Sequence, residues 1–299
     1  MKGELIRFLK MNDVEYKENL PLAKISPIRI GAEAEAVAYP DDSYKLCSLI
    51  GFLEKGKIRY KIAGRMSNLL PPDEKYDGVI IRTDRINSYS ICDNSLTVSC
   101  GVSLPFVSRL LLDAGLSGFE GLSGIPGSIG GAIVGNAGAF GREIADLITD
   151  LFVYDIENDN VIRLSKADCD FRYRHSALKG KPLVVLSAQF AFSPTDPANI
   201  KAEMDRCGGV RKSTQPVDKF SLGSAFKRPA DNISAARLID ECGLKGYSVG
   251  GAMISEKHAG FIINKGGATA GDYIALSDYA ANKVYEKFSI SLEREVEIM

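Results

Sequence analysis

Apolar positions along the chain alternate between two periods. Residues 35–39 (EAVAY) read as a strand, and 41–55 place Leu46, Leu49, Ile50 and Leu53 on one face of a helix. Strands follow at 58–63 (IRYKIA), 78–83 (GVIIRT) and 95–102 (SLTVSCGV). Over 104–114, Val107, Leu110, Leu111 and Ala114 keep the i, i+3, i+4, i+7 spacing of an amphipathic helix. Strands at 148–156 and 161–164 flank a turn-like ENDN, and 183–192 (LVVLSAQFAF) reads as another strand. The polar, proline-bearing 193–200 (SPTDPANI) breaks the pattern and marks the end of the first half. Beyond it, 233–242 reads as a helix stopped by Gly243, and 250–264 as two short strands. A last helix over 272–288 turns Leu276, Tyr279, Ala280 and Val284 inward. This order predicts α+β subdomains, with a helix-and-sheet unit in the last third.

Composition narrows the function classes. The 299 residues are 45% hydrophobic and 25% charged, enough for ordinary packed cores in two or three small domains. Lys and Arg total 37 against 38 Asp and Glu, so nothing suggests a nucleic-acid or membrane-surface binder; an anionic ligand must be held by local charge and backbone groups. The opening MKGELIRFLKMNDVEY is charged throughout, unlike a signal peptide or anchor, and no apolar run reaches the length of a membrane span. Cys47, Cys92, Cys100, Cys169, Cys207 and Cys242 show neither CxxC pairs nor zinc-ligand spacing and read as reduced thiols of a cytoplasmic protein without a metal site.

Residues 115–141, GLSGFEGLSGIPGSIGGAIVGNAGAFG, hold ten glycines. Six fall at every third position from 115 to 130, yet the apolar fillers and single proline exclude a collagen helix, and the spacing is not GxGxxG. The segment reads either as a backbone cradle for a pyrophosphate or as a structural turn. Residues 64–70 (GRMSNLL) offer a second phosphate-binding turn or an ordinary one. Gly51-x4-Gly56-Lys57 approximates a P-loop, but Ile58 stands where Ser or Thr must meet magnesium. In FRYRHS, Arg174 has the chemistry to clamp a carboxylate through paired hydrogen bonds, or to make a surface ion pair. His175 reads as solvated, and only two histidines leave little for a Ser-His-Asp triad. Ser224 in GSAFKRP is outside a GxSxG elbow. Glu293, Glu295 and Glu297 alternate onto one strand face, by default a solvated one.

The order of these elements is more specific than any one of them. G-x-x-SN-L-L is followed by G-I-P-G-S-I-G-G-A, N-A-G-A and F-R-Y-R-H-S. Then come Arg211 with Gln215-Pro216, G-S-A-F-K, L-I-x-x-x-G-L-K-G, G-G-A-x-x-S-x-K-H-A-x-F-I-x-N and L-x-x-E-V. Over residues 28–298 this order resembles the UDP-N-acetylenolpyruvoylglucosamine reductase family, and the short link between Phe192 and Arg211 resembles its type II form. The resemblance implies an α+β fold: a two-part FAD-binding unit of the vanillyl-alcohol-oxidase (PCMH) type, residues 1–90 and 91–200, and a C-terminal α+β substrate-binding domain, 201–299. FAD is the implied cofactor, with NADPH as co-substrate. Gly64, Ser67 and Asn68, with Ile125, Pro126, Gly127, Ser128, Gly130, Gly131, Ala137 and Gly138, match flavin-contacting loops. Arg174 matches the arginine that holds the substrate carboxylate, with Tyr173 beside it; Ser224 matches the proton donor and Glu295 the acidic catalytic residue. Lys245 matches a lysine near the UDP phosphates, and His258 another substrate contact. The implied reaction reduces UDP-N-acetylglucosamine enolpyruvate to UDP-N-acetylmuramate in cytoplasmic peptidoglycan precursor synthesis. Three positions depart from the family pattern: Met66 for glycine, which would crowd the flavin phosphates, Arg228 for a common asparagine beside the substrate, and Gly260 for another. A frayed chain end after Glu295 would misplace its carboxylate. Another FAD oxidase of this fold would account for the glycine loops but not for Ser224, Lys245 and Glu295 in that order; a catalytically silent flavin or UDP-sugar binder would account for Met66 and Arg228.

Overall fold

The computed structural model describes residues 2–299, which divide into two compact units. The first contains the chain up to Glu18, Ala36–Arg65 and Gly78–Gly209; the second contains Asn19–Glu35, Met66–Asp77 and Val210–Met299. A linear division at 90 and 200 does not anticipate that 19–35 and 66–77 group with the last third.

In the first unit, helix α1 (Lys2–Met11) and strand Glu15–Pro21 precede the first element the sequence pattern assigned. Leu5 and Leu9 of α1 are buried, and Phe8 stacks on Phe52 of α2 (Ser43–Lys55) at 4.2 Å. Asp42 caps α2 by accepting the Lys45 N–H at 2.7 Å, worth about 1 kcal/mol. Leu46, Leu49, Ile50 and Leu53 are fully buried, as their spacing predicts. Strands Glu15–Pro21, Glu33–Tyr39, Tyr76–Arg82 and Tyr60–Ala63 form one sheet in that order. The last two pair in parallel with Ala63 opposite Arg82, which fixes where the loop at Gly64 leaves the sheet.

A second, antiparallel sheet is ordered Asn160–Ser165, Ile148–Asp155, Leu183–Ala191, Ser95–Ser99, Tyr89–Cys92. Its middle strand buries Val184, Val185, Leu186, Ala188 and Phe190, hence its unbroken apolar run. Helix α3 (Leu104–Asp113) starts at its cap Ser103 and buries Leu104, Val107, Ser108 and Leu111. Ala114, expected inward, is its exposed C-cap. Helix α4 (Ile129–Val134) lies inside the glycine-rich segment. The break expected over 193–200 is short: helix α5 (Pro197–Thr214) begins within it. Asp196 Oδ1 accepts the Ala198 N–H at 2.8 Å, and Pro197 occupies the first helical position, where its missing N–H costs nothing.

In the second unit, strands Phe220–Ser224, Phe261–Asn264, Ala252–Ile254 and Ser248–Val249 form an antiparallel sheet in that order. Helix α6 (Ala235–Glu241) ends in a Schellman motif: Gly243, φ +72°, donates to Asp240 O at 2.8 Å and Leu244 donates to Ile239 O at 3.4 Å. Helix α7 (Ala270–Phe288) buries Tyr273, Leu276, Ala280 and Val284, while Tyr279 is half-buried and stacks on Tyr247 at 4.5 Å. Asp73 accepts the first N–H groups of α7, from Ala270 at 2.6 Å and Gly271 at 2.8 Å. Ile28, Ile30 and Leu70 pack into the core of this unit. Among the described residues, no helix is long and apolar enough to cross a membrane. All six cysteines are free thiols.

Candidate active site

Gly64 follows strand Tyr60–Ala63 directly, at a point of close approach to the glycine-rich segment. A Cβ built on it would overlap Ser128 Oγ and lie 3.2 Å from Ser128 Cβ. Ser128, 2% exposed, is the extended N-cap of α4, and its hydroxyl caps nothing there. The backbone beyond it is held from below: Ile129 N–H donates to Val102 O at 2.9 Å and Gly130 N–H to Cys100 O at 2.8 Å. A Cβ at Gly130 would stand 3.0 Å from Cys100 Cβ, so glycine is what lets these backbones meet. Burial pushes the Cys100 thiol up to about 12, leaving it a packing group.

Asn136, Ala137 and Gly138 lead into a two-residue hairpin, with Gly138 opposite Glu143. The Gly138 carbonyl accepts Arg174 Nη2 at 3.3 Å, and the Arg174 guanidinium lies 5.1 Å from the Tyr173 ring centre. Arg174 has φ +53°, in the left-handed region. The first unit therefore joins Gly64 to Ser128, and Gly138 to Tyr173 and Arg174.

Ser67 and Asn68 belong to the second unit. Asn68 Nδ2 donates to Glu295 O at 2.9 Å, and Glu297 N–H donates to Asn68 O at 3.0 Å. Leu69–Leu70 then pairs in parallel with Glu297–Ile298. Glu295 N–H donates to Ala225 O at 2.9 Å, and Ala225 N–H donates to Gly260 O at 2.8 Å. Neighbouring Arg294 is anchored on α7 by Ser277 Oγ at 2.7 Å and by Asp278. The fraying considered for the chain end is thus absent at Glu295, whose backbone is fastened on both sides. The expected strand spanning Glu293, Glu295 and Glu297 is reduced to Glu297–Ile298, with a bend at Val296.

Ser224 ends strand Phe220–Ser224 opposite Phe261. Its hydroxyl donates to Phe226 O at 3.5 Å, a long bond. His258 Nδ1 accepts the Gly260 N–H at 3.1 Å, and burial lowers the imidazole's affinity for a second proton, with Lys245 adding to the effect. Lys245 pairs with Asp240 at 2.6 Å.

One departure, Gly260, acquires a local reason, and nothing in the structure explains Met66. Met66 is 3% exposed at φ +57°, a conformation glycine adopts without strain. A Cβ at Gly260 would lie 3.0 Å from both Ala236 Cβ and the His258 ring. Arg228 is exposed.

The glycines at 64, 130 and 131 keep side chains out of this loop crossing, the kind of backbone a dinucleotide diphosphate can approach. Residues 34–165 match the FAD binding domain family. A glucose dehydrogenase, Phl p 4.0202, superposes at TM-score 0.50 with 14% identity over 65% of this chain and 44% of its own, a likeness of fold alone. The chain accordingly carries an FAD-binding domain, joined to a C-terminal α+β domain. Residues 215–299 match the family described as UDP-N-acetylenolpyruvoylglucosamine reductase, C-terminal domain. The reductase of that name from Caldicellulosiruptor bescii is 40% identical over 99% of this chain and 94% of its own length. That of Streptococcus pneumoniae (strain JJA) is 39% identical over 100% and 98%. The crystal structure of the Thermus caldophilus reductase superposes at TM-score 0.80 with 31% identity, covering 95% of this chain and 98% of that one. The chain belongs to the UDP-N-acetylenolpyruvoylglucosamine reductase family.

Proposed function

We propose that the chain reduces UDP-N-acetylglucosamine enolpyruvate to UDP-N-acetylmuramate with NADPH, in the cytoplasm. Residues 1–90 and 91–200 supply the two FAD-binding parts and 201–299 the substrate domain. Gly64, Ser67 and Asn68, with the backbone of 125–131 and 137–138, would hold FAD. FAD held there would supply the hydride-transfer chemistry that links NADPH oxidation to reduction of the enolpyruvyl ether at C3. Negative charge then develops at C2 and on the carboxylate. Arg174 offers a fixed guanidinium for that charge, and Tyr173 flanks it. Ser224 donates its hydroxyl proton to C2; a hydroxyl suffices because an enolate-like carbon is a strong base. Glu295 supports that protonation, while Lys245 lies near the UDP phosphates and His258 makes another substrate contact. The observation that carries this reading is the backbone link from Glu295 N–H to Ala225 O at 2.9 Å, which joins the segments bearing the proton donor and the acid.

The test separates the two half-reactions. NADPH should bleach the flavin absorbance, and only the enolpyruvyl UDP-sugar should restore it quickly. Ser224→Ala should bleach normally but reoxidise about 10²–10⁴-fold more slowly. Equal losses in both halves would remove Ser224 as proton donor.

A further inference from the structure

Asn136 lies between two segments of the first unit, and it is fully buried. Its Nδ2 donates to Glu143 Oε2 at 2.7 Å and to Arg172 O at 2.9 Å, and its Oδ1 accepts the Ala145 N–H at 3.2 Å. Both amide hydrogens and the amide oxygen are therefore committed. Glu143 is paired with Gly138, whose carbonyl accepts the Arg174 guanidinium. Arg172 precedes Arg174 by two positions. Two positions beyond Arg174, Ser176 is also fully buried and donates to Val134 O at 2.8 Å. The turn bearing Arg174 is thus fastened at both ends to residues 134–145. A left-handed arginine persists where its surroundings impose that backbone, and these bonds do so.

We propose that Asn136 is a positioning residue: its side-chain amide locks the Tyr173–Arg174 turn to the Gly138–Glu143 hairpin and so sets the guanidinium geometry for the substrate carboxylate. This inference rests on the assignment of Arg174 as the carboxylate clamp. The amide acts as a donor toward both segments, so its oxygen-for-nitrogen replacement is the sharpest perturbation. Asn136→Asp keeps the shape and the acceptor toward Ala145, but turns an oxygen toward Glu143 and the Arg172 carbonyl.

Asn136→Asp should weaken calorimetric affinity of the FAD-loaded protein for UDP-N-acetylmuramate about 10–100-fold. In an Arg174→Ala background the same change should have little further effect on affinity. Glu143→Ala, which removes one of the three bonds, should weaken affinity less, and Glu143→Gln, which retains an acceptor oxygen, should restore it. If Arg174→Ala alone leaves product affinity unchanged, the clamp assignment fails and the inference falls with it. If Arg174→Ala weakens binding but Asn136→Asp does not, or the two losses multiply independently, the inference alone is overturned. Should Asn136→Asp fail to fold, equal product affinities for Glu143→Ala and Glu143→Gln would overturn it.

Discussion

Gly64→Ala is the sharpest single test of the flavin cradle. The added methyl group would overlap Ser128 Oγ and sit 3.2 Å from Ser128 Cβ, tighter than an ordinary contact. Ser128 has little freedom to retreat: it is 2% exposed, and its neighbour Ile129 is tied to Val102 O at 2.9 Å. Overpacking of this kind costs about 1–3 kcal/mol. If that cost is borne by the FAD-bound arrangement, the FAD dissociation constant rises about 5- to 150-fold. Removing the clashing oxygen relieves most of it, so Gly64→Ala with Ser128→Ala should bind FAD more tightly than the two single losses combined would allow. A coupling of at least about 1 kcal/mol is expected across this cycle. FAD fluorescence quenching on titration of apoprotein reads all four affinities, and urea unfolding of the same apoproteins shows how much of the loss belongs to the fold. Two results would refute the reasoning: Gly64→Ala binding FAD within twofold of the parent, or strictly additive substitutions.

Two further expectations concern α7. Asp272 Oδ2 accepts the N–H groups of Gly251 at 3.0 Å and Thr269 at 3.1 Å, and these bonds, Gly251 first, hold its carboxyl below the ordinary 3.8. That stabilisation is fully present above the unfolded value and disappears as pH falls through the lower native one. Asp272→Ala should therefore cost, after solvent screening, about 1 kcal/mol in urea unfolding near neutrality and progressively less below about pH 4; a gap that stays constant with pH would exclude the carboxylate. Tyr273, 1% exposed, finds no hydrogen-bond partner for its hydroxyl among the described residues. Tyr273→Phe should leave stability unchanged or raise it by about 1 kcal/mol, and a loss above about 1 kcal/mol would show that the hydroxyl is in fact satisfied.

Apolar period made the principal elements legible wherever burial was one-sided. Leu46, Leu49, Ile50 and Leu53 lie in the core as their spacing requires. Helix α1 was equally readable from Leu5, Ile6, Phe8 and Leu9, but charged residues between them masked a short repeat. The start of α5 was hidden by reading Asp196-Pro197 as a break, although a capping acid followed by proline is also how helices begin. The union of 19–35 and 66–77 with the last third lay beyond any local pattern, because it depends on contacts such as Asn264 Nδ2 to Ile28 O at 2.9 Å.

At the candidate site, sequence order singled out the proposed catalytic side chains more readily than the groups that hold them still. Arg174, Ser224 and Glu295 stood in motifs, yet their fastenings are backbone bonds or buried amides with no periodic signature. Asn136 and Ser176 were within reach, since they belong to the N-A-G-A and R-x-S stretches already singled out. What was missing was their burial, which turns a polar side chain from a surface group into one that must have partners. Asn68 makes the same point: expected among the flavin contacts, it also uses Nδ2 to hold the Glu295 carbonyl at 2.9 Å. A substitution there would therefore reach the acid at Glu295 through the backbone. Loss of activity in an Asn68 variant would not by itself mark a flavin contact, because displacement of Glu295 predicts the same loss with FAD still bound.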